Sequence, residues 1–591
     1  MYRDTYVGNL DAEAAGTTVT IAGWAARIRD QGGVAFVDLR DASGLVQVVI
    51  APDEVPELVD VARSLKREYC LKIIGDVRAR PPGTENLDLP TGAVEVAART
   101  VEVLSTAQPL PFQLDDSIET DEQVRLQYRY LDLRRDRMSR NLKARSRAVA
   151  AIHNNLDAAG FMEVETPTLI KSTPEGARDV LVPSRHRQGH FYALPQSPQL
   201  FKQLLMVAGV DRYYQIARCY RDEDFRADRQ IEFTQLDLEG SFWGQDEVLA
   251  TIESVVSDAV AAVRGEGLSL PLSQMTYAEA IDRFGSDKPD LRFGMEIADL
   301  SDVFAASEFN AFASVVEGGG VVRAINIGES ESSRSHLDGI IERAKELGAK
   351  GLVWMVVEQD GTIRSPVAKF LESGEMDAIR QALSGELGDV LLLVADEHRR
   401  ASHVLGQLRL DHGRPDGHDD LSFLWVTDFP VFEVADDGGL APAHHPFTAP
   451  RSVEELRDSP ETAVAKAYDL VVNGVELGSG SVRIHDPAVQ QEVFDILGIA
   501  PEEAHQRFGW FLEALRYGTP PHAGFAFGID RLVSVLQNEP NIREVMPFPK
   551  TQTGFDPLTS SPSPVTEDQL AELGIELRPD AEESLEAHPA G

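Results

Sequence analysis

The stretch YRDEDFRADRQIEFTQLDLEG, Tyr220 to Gly240, crowds Arg221, Arg226 and Arg229 among acids before alternating apolar with polar residues. Ile231, Phe233, Leu236 and Leu238 give its second half the pattern of a half-buried strand. Ordinary strands avoid this much Asp and Glu. Two readings stay open here. One is a surface hairpin laced with salt bridges; the other is a strand end whose arginine clamps a phosphate bidentately, with Phe233 stacked on a base.

The rest of the chain bounds the choice. Its 591 residues exceed one domain's usual size, so three or four domains are expected. A content of 43% hydrophobic and 26% charged residues suits a globular protein with ample core. No apolar run approaches the ~20 residues needed to span a bilayer. The start, MYRDTYVGNLDAEAAG, lacks a signal peptide's basic and apolar segments, so the cytoplasm is the expected compartment. Cys70 and Cys219 stand far apart without a CxxC, which supports neither a disulfide framework nor a zinc cluster. The formal net charge of -40 argues against nucleic acid as a partner until its distribution is read. Between Asp121 and Arg147, nine bases face four acids, a local +5. That run reads either as a solvated helix with i,i+4 pairs or as a phosphate-backbone contact.

The expected fold class is α+β multidomain. Residues 1–105 hold about five short strands with turns at Gly32-Gly33 and Asp41 to Gly44, which suits a Greek-key barrel of the OB type. Such barrels bind single-stranded nucleic acid on a strand face, here Trp24, Arg27, Arg29, Phe36 and Gln47, although Trp24 and Phe36 suit barrel core equally well. A polar linker over 106–144 precedes a mixed helix and strand region over 145–285. Residues 286–410 read as a separate inserted α+β unit, 411–555 return to strands with loaded loops, and 556–591 form a Pro-, Ser- and Glu-rich tail.

No GxxxxGK[ST], GxGxxG or GxSxG occurs, so a P-loop, a Rossmann fingerprint and a nucleophile elbow are not indicated. Other stretches carry chemistry. NGVELGSGSVRIHD, preceded by Asp469, offers Glu476 and Asp469 as hard oxygens for Mg²⁺, with Arg483 seven residues after Glu476. HAGFAFGIDRLVSVL places Arg531 near a helix start. QSPQLFKQLLM sets Ser197, Gln199 and Lys202 about another helix start, and AHHPFT offers His444 as a loop histidine near a ligand.

In their order, these stretches resemble the class II aminoacyl-tRNA synthetases. GFMEVETPTL is similar to motif 1, YRDEDFRADRQIEFTQLD to motif 2 and GFAFGIDRL to motif 3. QSPQLFKQLLM, AHHPFT and ELGSGSVRIHD resemble the aspartyl branch, and the 286–410 insertion resembles its bacterial form. The resemblance covers nearly the whole chain except the tail, and it implies an N-terminal OB-type anticodon-binding barrel, an antiparallel sheet core with helices and an inserted domain.

By that resemblance Arg221 contacts the ATP α-phosphate and the amino acid carboxylate, Phe233 stacks on adenine, and Arg531 packs over it near the γ-phosphate. Asp222, Glu223, Gln230, Glu476, Gly528 and Asp530 complete the implied ATP site. Lys202 and Arg483 match the pair gripping the substrate's side-chain carboxylate, a pairing that favours aspartate over asparagine's neutral amide. Glu175, Ser197, Gln199, Gln235 and Asp237 match groups around the rest of L-aspartate, and His444 a histidine that closes over it. Asp469, Glu476 and Ser479 resemble the Mg²⁺ ligands.

The implied reaction joins aspartate to ATP as aspartyl-adenylate, releases diphosphate, then passes the aspartyl group to tRNA with release of AMP. The implied partners are tRNA(Asp), tRNA(Asn) in the relaxed form, and a second copy of the chain around motif 1; no membrane or DNA partner is expected. The rivals are an asparaginyl or lysyl enzyme, a strict tRNA(Asp) enzyme, a tRNA-free relative making asparagine, and a catalytically dead RNA-binding relative. The implied anticodon readers are Arg29, Gln31, Phe36, Gln47 and Gly83. At the two barrel loops, Gln31 before Gly32-Gly33 and Gly83 after VRAR, relaxed family members tend to carry His and Gly respectively, strict ones Leu and Lys; Gln31 fits neither pattern, whereas Gly83 fits the relaxed one.

Overall fold

The computed structural model describes residues 1–173, 177–224, 226–415, 419–435 and 438–578. Glu175, expected at the substrate's amino end, lies outside the described residues. The chain divides into two compact units, Met1–Ser139 and Arg140–Gly591.

In the first unit β1 (Thr18–Gln31), β2 (Val34–Arg40), β3 (Leu45–Ile50), β4 (Cys70–Ala79) and β5 (Val94–Ser105) close a barrel in the order β1-β2-β3-β5-β4. Only β3 and β5 run parallel. Period-2 alternation builds it: in β2, Ala35, Val37 and Leu39 are buried while Phe36, Asp38 and Arg40 stay partly exposed. Trp24 and Phe36 are therefore outward residues of the barrel, outside its buried core. The Arg134 guanidinium lies 4.7 Å over the Trp24 ring and donates to Glu68 at 2.8 Å.

The basic run turns largely inward. Arg125 donates to fully buried Asp132 at 3.0 and 3.1 Å, Arg129 at 2.7 Å, and Arg135 lies 3.6 Å away. Arg135 also donates to the Gln113 carbonyl and the Thr120 hydroxyl. For Arg125, Arg129 and Arg135 neither the solvated helix nor a phosphate stripe holds: one buried carboxylate gathers these three cations, a burial tolerated only with such pairing. Arg140, Lys143 and Arg147 remain exposed on the helix Asp136–Ala158.

In the second unit β6 (Met162–Glu163), β7 (Arg212–Tyr220), β8 (Glu232–Ser241) and β9 (Ser273–Thr276) come first. Between residues 298 and 396 a separate antiparallel sheet forms from β10 (Ala298–Asp299), β11 (Val321–Glu329), β12 (Val353–Val357), β13 (Ile363–Arg364) and β14 (Asp389–Asp396), in the order β10-β11-β14-β12-β13. Both its faces are apolar and covered: Ile325 and Leu392 pack with helices Arg334–Glu346 and His398–Gly413, Ala324 and Leu391 with helices Asn310–Glu317 and Ser373–Ala382.

The chain then adds β15 (Phe423–Thr427), β16 (Ala467–Val472), β17 (Val475–Val482) and β18 (His522–Gly528) to the first group. Eight strands result, ordered β9-β15-β16-β17-β18-β8-β7-β6, with β15 through β7 antiparallel. Helix Asp136–Ala158 presents Ala144, Ala148, Ile152 and Leu156, one face at i,i+4 spacing, and helix Gln245–Arg264 presents Ile252, Val256 and Ala259. Both pack on Trp425, Phe525 and Phe527 of the sheet. Burying Ile152 and Leu156 contributes roughly 3–6 kcal/mol, more than intrinsic helix propensity supplies. Helix Gln245–Arg264 starts where Glu247 accepts from the Gly244 amide and stops at left-handed Gly265. The opposite face of the sheet carries the charges.

Candidate active site

Strand register assembles the charged face. Asp469, Ser479, Ala526 and Asp237 pair successively across β16, β17, β18 and β8, and the next such row joins Ser481, Gly524 and Glu239. Above these rows lies a cavity of about 440 Å³. Ser197, Gln199, Lys202, Arg221, Glu223, Gln230, Phe233, Gln235, Asp237, His444, Glu476, Ser479, Arg483, Gly528, Asp530 and Arg531 all line it. Asp222 and Asp469 do not.

At one end four ionic groups lie buried together. Lys202 sits on helix Gln199–Val207, whose buried stripe of Gln199, Lys202, Gln203 and Met206 faces the sheet. Its ammonium donates to Asp237 at 3.1 Å and lies 3.4 Å from Glu239. Arg483 donates to both Glu239 oxygens, at 2.8 and 3.2 Å, and to the Ser481 hydroxyl at 2.7 Å. Burial works against the Glu239 carboxylate, but Arg483 and Lys202 outweigh it and hold it below the usual carboxylate range. At Asp237 burial wins over Lys202 and raises the carboxyl. Asp237 Oδ2 and Gln199 Nε2 are buried with no partner, an acceptor and a donor left for a ligand.

Glu239 was not among the expected site residues. The signal was present, since Glu239 follows Asp237 at strand period on the same face of β8. Gly524 explains how it fits. A Cβ there would lie 1.8 Å from Glu239 Oε2, so only glycine lets that carboxylate lie against β18.

The middle of the cavity holds the motif 2 side chains. The Arg221 guanidinium lies 5.1 Å over the Phe233 ring, and its buried Nε lacks a partner. Glu223 pairs with Arg229 at 2.9 Å. Asp222 is used by the backbone, its amide donating to the Arg178 carbonyl at 3.1 Å. Gln230 clamps Lys550, accepting from its amide at 2.9 Å and donating to its carbonyl at 3.2 Å. Asp530 accepts from the Thr234 amide at 2.8 Å and from Arg145. Asp222, Gln230 and Asp530 therefore make bracing contacts in this structure, while Gln230 and Asp530 also line the cavity and Gln230 keeps a second amide N–H beyond its bond to Lys550.

At the far end Arg531 donates to the Glu476 carbonyl and pairs with Asp228 at 3.1 Å. Burial and the neighbouring Asp469 raise the Glu476 carboxyl, with Arg531 and Lys288 opposing. His444 lies 3.1 Å from Asp469, its Nδ1 unpartnered; burial would lower the imidazole, but Asp469 prevails and raises it. Among the described residues no three His, Cys, Asp or Glu form a ready metal cluster. Two repelling carboxylates with the Ser479 hydroxyl nevertheless fit Mg²⁺, which takes one or two carboxylates and completes its shell with phosphate and water.

In the first unit, Arg29 donates to Asp38 at 2.6 Å and to Gln47 at 3.2 Å, and Gln47 donates to buried Glu95 at 2.9 Å. Phe36 pairs with Arg29 on the same outward face, and Gln31 is exposed at the end of β1. Gly83 occupies a turn at φ +87°, a conformation a lysine adopts only under strain.

The family described as tRNA synthetases class II (D, K and N) matches residues 121–552, and the OB-fold nucleic acid binding domain matches residues 19–104. The chain is similar to a Moorella thermoacetica protein named aspartate–tRNA(Asp/Asn) ligase, 51% identical over 97% of each chain. A Salinispora arenicola protein of the same name is 50% identical over 100% of this chain and 98% of its own. Among solved structures, asparaginyl-tRNA synthetase from Pyrococcus horikoshii complexed with asparaginyl-adenylate aligns with a TM-score of 0.57 at 20% identity, covering 93% of this chain and 99% of that one. Aspartyl tRNA synthetase from Entamoeba histolytica aligns equally well, also at 20% identity, over 92% and 91%. At such identity the structures speak for the fold alone.

Proposed function

The chain belongs to the class II tRNA synthetases of the D, K and N group, and from that premise we propose that it is an aspartate–tRNA ligase acting on tRNA(Asp) and tRNA(Asn). The observation that carries the choice of amino acid is the buried Lys202 and Arg483 pair, held by Glu239. Two cations receive the aspartate side-chain carboxylate, while asparagine's amide would set N–H groups against N–H groups. Asp237 Oδ2 and Gln199 Nε2, the unpartnered atoms, take the ends of the amino acid.

An oxygen of the aspartate α-carboxylate attacks the ATP α-phosphorus. The new O–P bond replaces the bond to the bridging oxygen, and diphosphate leaves. Arg221 orients the α-phosphate, Phe233 the adenine and Arg531 the distal phosphates, so positioning and charge neutralisation supply the rate. Mg²⁺ bound with ATP supplies further charge neutralisation, and Asp469, Glu476 and Ser479 are the residues that would hold it. A ribose hydroxyl of the tRNA then attacks the aspartyl carbonyl, and AMP departs.

The barrel, residues 1–105, reads the anticodon through Arg29, Phe36 and Gln47. Gly83 lacks a side chain with which to exclude either third anticodon base, which supports the relaxed specificity that the relatives' names carry. Exposed Met162 on edge strand β6, with exposed Leu169 in the motif 1 stretch that follows it, supports a homodimer. No helix among the described residues is long and apolar enough to cross a membrane, and the cytoplasm remains the proposed compartment. ATP–diphosphate exchange with aspartate, asparagine and lysine in turn tests the amino acid. Exchange with aspartate is expected, and preference for another of the three overturns the reading.

A further inference from the structure

The stretch HAGFAFGIDRLVSVL opens with a histidine to which the reaction described above gives no role. His522 begins β18 and is fully buried. It pairs with Ser241, one strand period beyond the pairing of Gly524 with Glu239, so it lies on the charged face of the sheet. Its own carbonyl accepts from the Arg483 amide at 2.9 Å. In the ring, Nδ1 lies 2.8 Å from the Pro520 carbonyl oxygen and Nε2 lies 3.1 Å from Gln203 Oε1. Gln203 is itself fully buried, next to Lys202 on helix Gln199–Val207, and its amide donates to the Gln199 carbonyl at 3.5 Å. A carbonyl only accepts, so Nδ1 carries a proton. The imidazolium also donates from Nε2 to the Gln203 oxygen, whereas the neutral ring accepts there from a Gln203 amide turned end for end. Burial favours the neutral ring, with Glu239 and the Pro520 carbonyl opposing. In either state one hydrogen bond ties β18 to the helix that carries Lys202 and Gln199.

We propose that His522 is a positioning residue for the amino acid substrate: its ring, through Gln203, fixes the helix that aims Lys202 and Gln199 at the bound aspartate. The inference rests on the ligase reading and deepens it by adding a support beneath the Lys202 and Arg483 pair. Glu239 holds the two cations by charge. His522 holds the backbones that carry them, that of Arg483 by its carbonyl and that of Lys202 by its ring. A cation displaced by a fraction of an ångström meets the substrate carboxylate poorly, so the support acts on aspartate binding and not on ATP.

The test uses the full chain and three variants. His522→Asn keeps a donor near the Pro520 carbonyl but falls short of Gln203; Gln203→Met removes the partner at similar volume; the third carries both changes. ATP–diphosphate exchange is measured against aspartate and against ATP. Each single variant is expected to raise the KM for aspartate about fivefold, the loss of one neutral hydrogen bond, with kcat and the KM for ATP within about twofold of the parent. The double variant should lose no more than either single one, because both remove the same bond. Additive losses, a fall in kcat with the aspartate KM unchanged, or an equal rise in the KM for ATP would overturn the assignment. Where His522→Asn does not fold, Gln203→Met decides alone, and an unchanged aspartate KM in it overturns the assignment. A wild-type chain silent in exchange would instead remove the ligase reading itself.

Discussion

Replacing Glu239 by glutamine keeps the side chain's shape and removes the one charge that holds Lys202 and Arg483 together. The carboxylate accepts from Arg483 at 2.8 and 3.2 Å and lies 3.4 Å from Lys202. A glutamine oxygen retains one of these contacts, while its amide turns N–H groups toward a guanidinium or an ammonium. At least one charge-assisted bond is lost, worth about 1.5–3 kcal/mol. That converts to about a 10- to 150-fold fall in kcat/KM for aspartate in ATP–diphosphate exchange. The loss should fall on aspartate alone, because Arg221 and Arg531 do not touch Glu239. An unchanged aspartate kcat/KM, or an equal rise in the KM for ATP, would refute the reasoning.

Three further outcomes are expected. Asp469→Asn and Glu476→Gln each remove a proposed Mg²⁺ ligand, so exchange should need about tenfold more Mg²⁺ for half-maximal rate, checked by Mg²⁺ titration. Asp290 is fully buried; burial raises its carboxyl, but Arg292 at 2.6 Å and Arg414 at 3.8 Å outweigh it and hold it below the usual range. A depressed carboxyl stabilises the fold above its unfolded pKa of about 3.9 and loses that contribution as pH falls through the folded value. Asp290→Asn should therefore lower the thermal midpoint at pH 7 and narrow its gap to the parent below about pH 4. Gly83→Lys should reduce aspartylation of tRNA(Asn) about tenfold more than that of tRNA(Asp), read as the ratio of kcat/KM values.

Much of the site was legible because its chemistry repeats at strand period. Phe233, Gln235 and Asp237 alternate with buried Leu236 and Leu238, and β8 places all three on the charged face. Glu239 escaped because its meaning comes from Arg483, 244 residues later, and from Gly524 on the strand between. Gln230, Asp222 and Asp530 were legible as site residues but not as braces, since Lys550, Arg178 and Arg145 are distant in sequence. The basic run misled for a related reason: a charge count cannot register that Asp132 is buried and draws three arginines onto itself.

The most direct test of the account is aspartylation of two transcripts, tRNA(Asp) with anticodon GUC and tRNA(Asn) with GUU, at equal concentration. The account predicts that both accept aspartate with comparable kcat/KM. A hundredfold or greater preference for tRNA(Asp), about 2.7 kcal/mol, would contradict the relaxed specificity, and no aspartylation of either would contradict the ligase assignment.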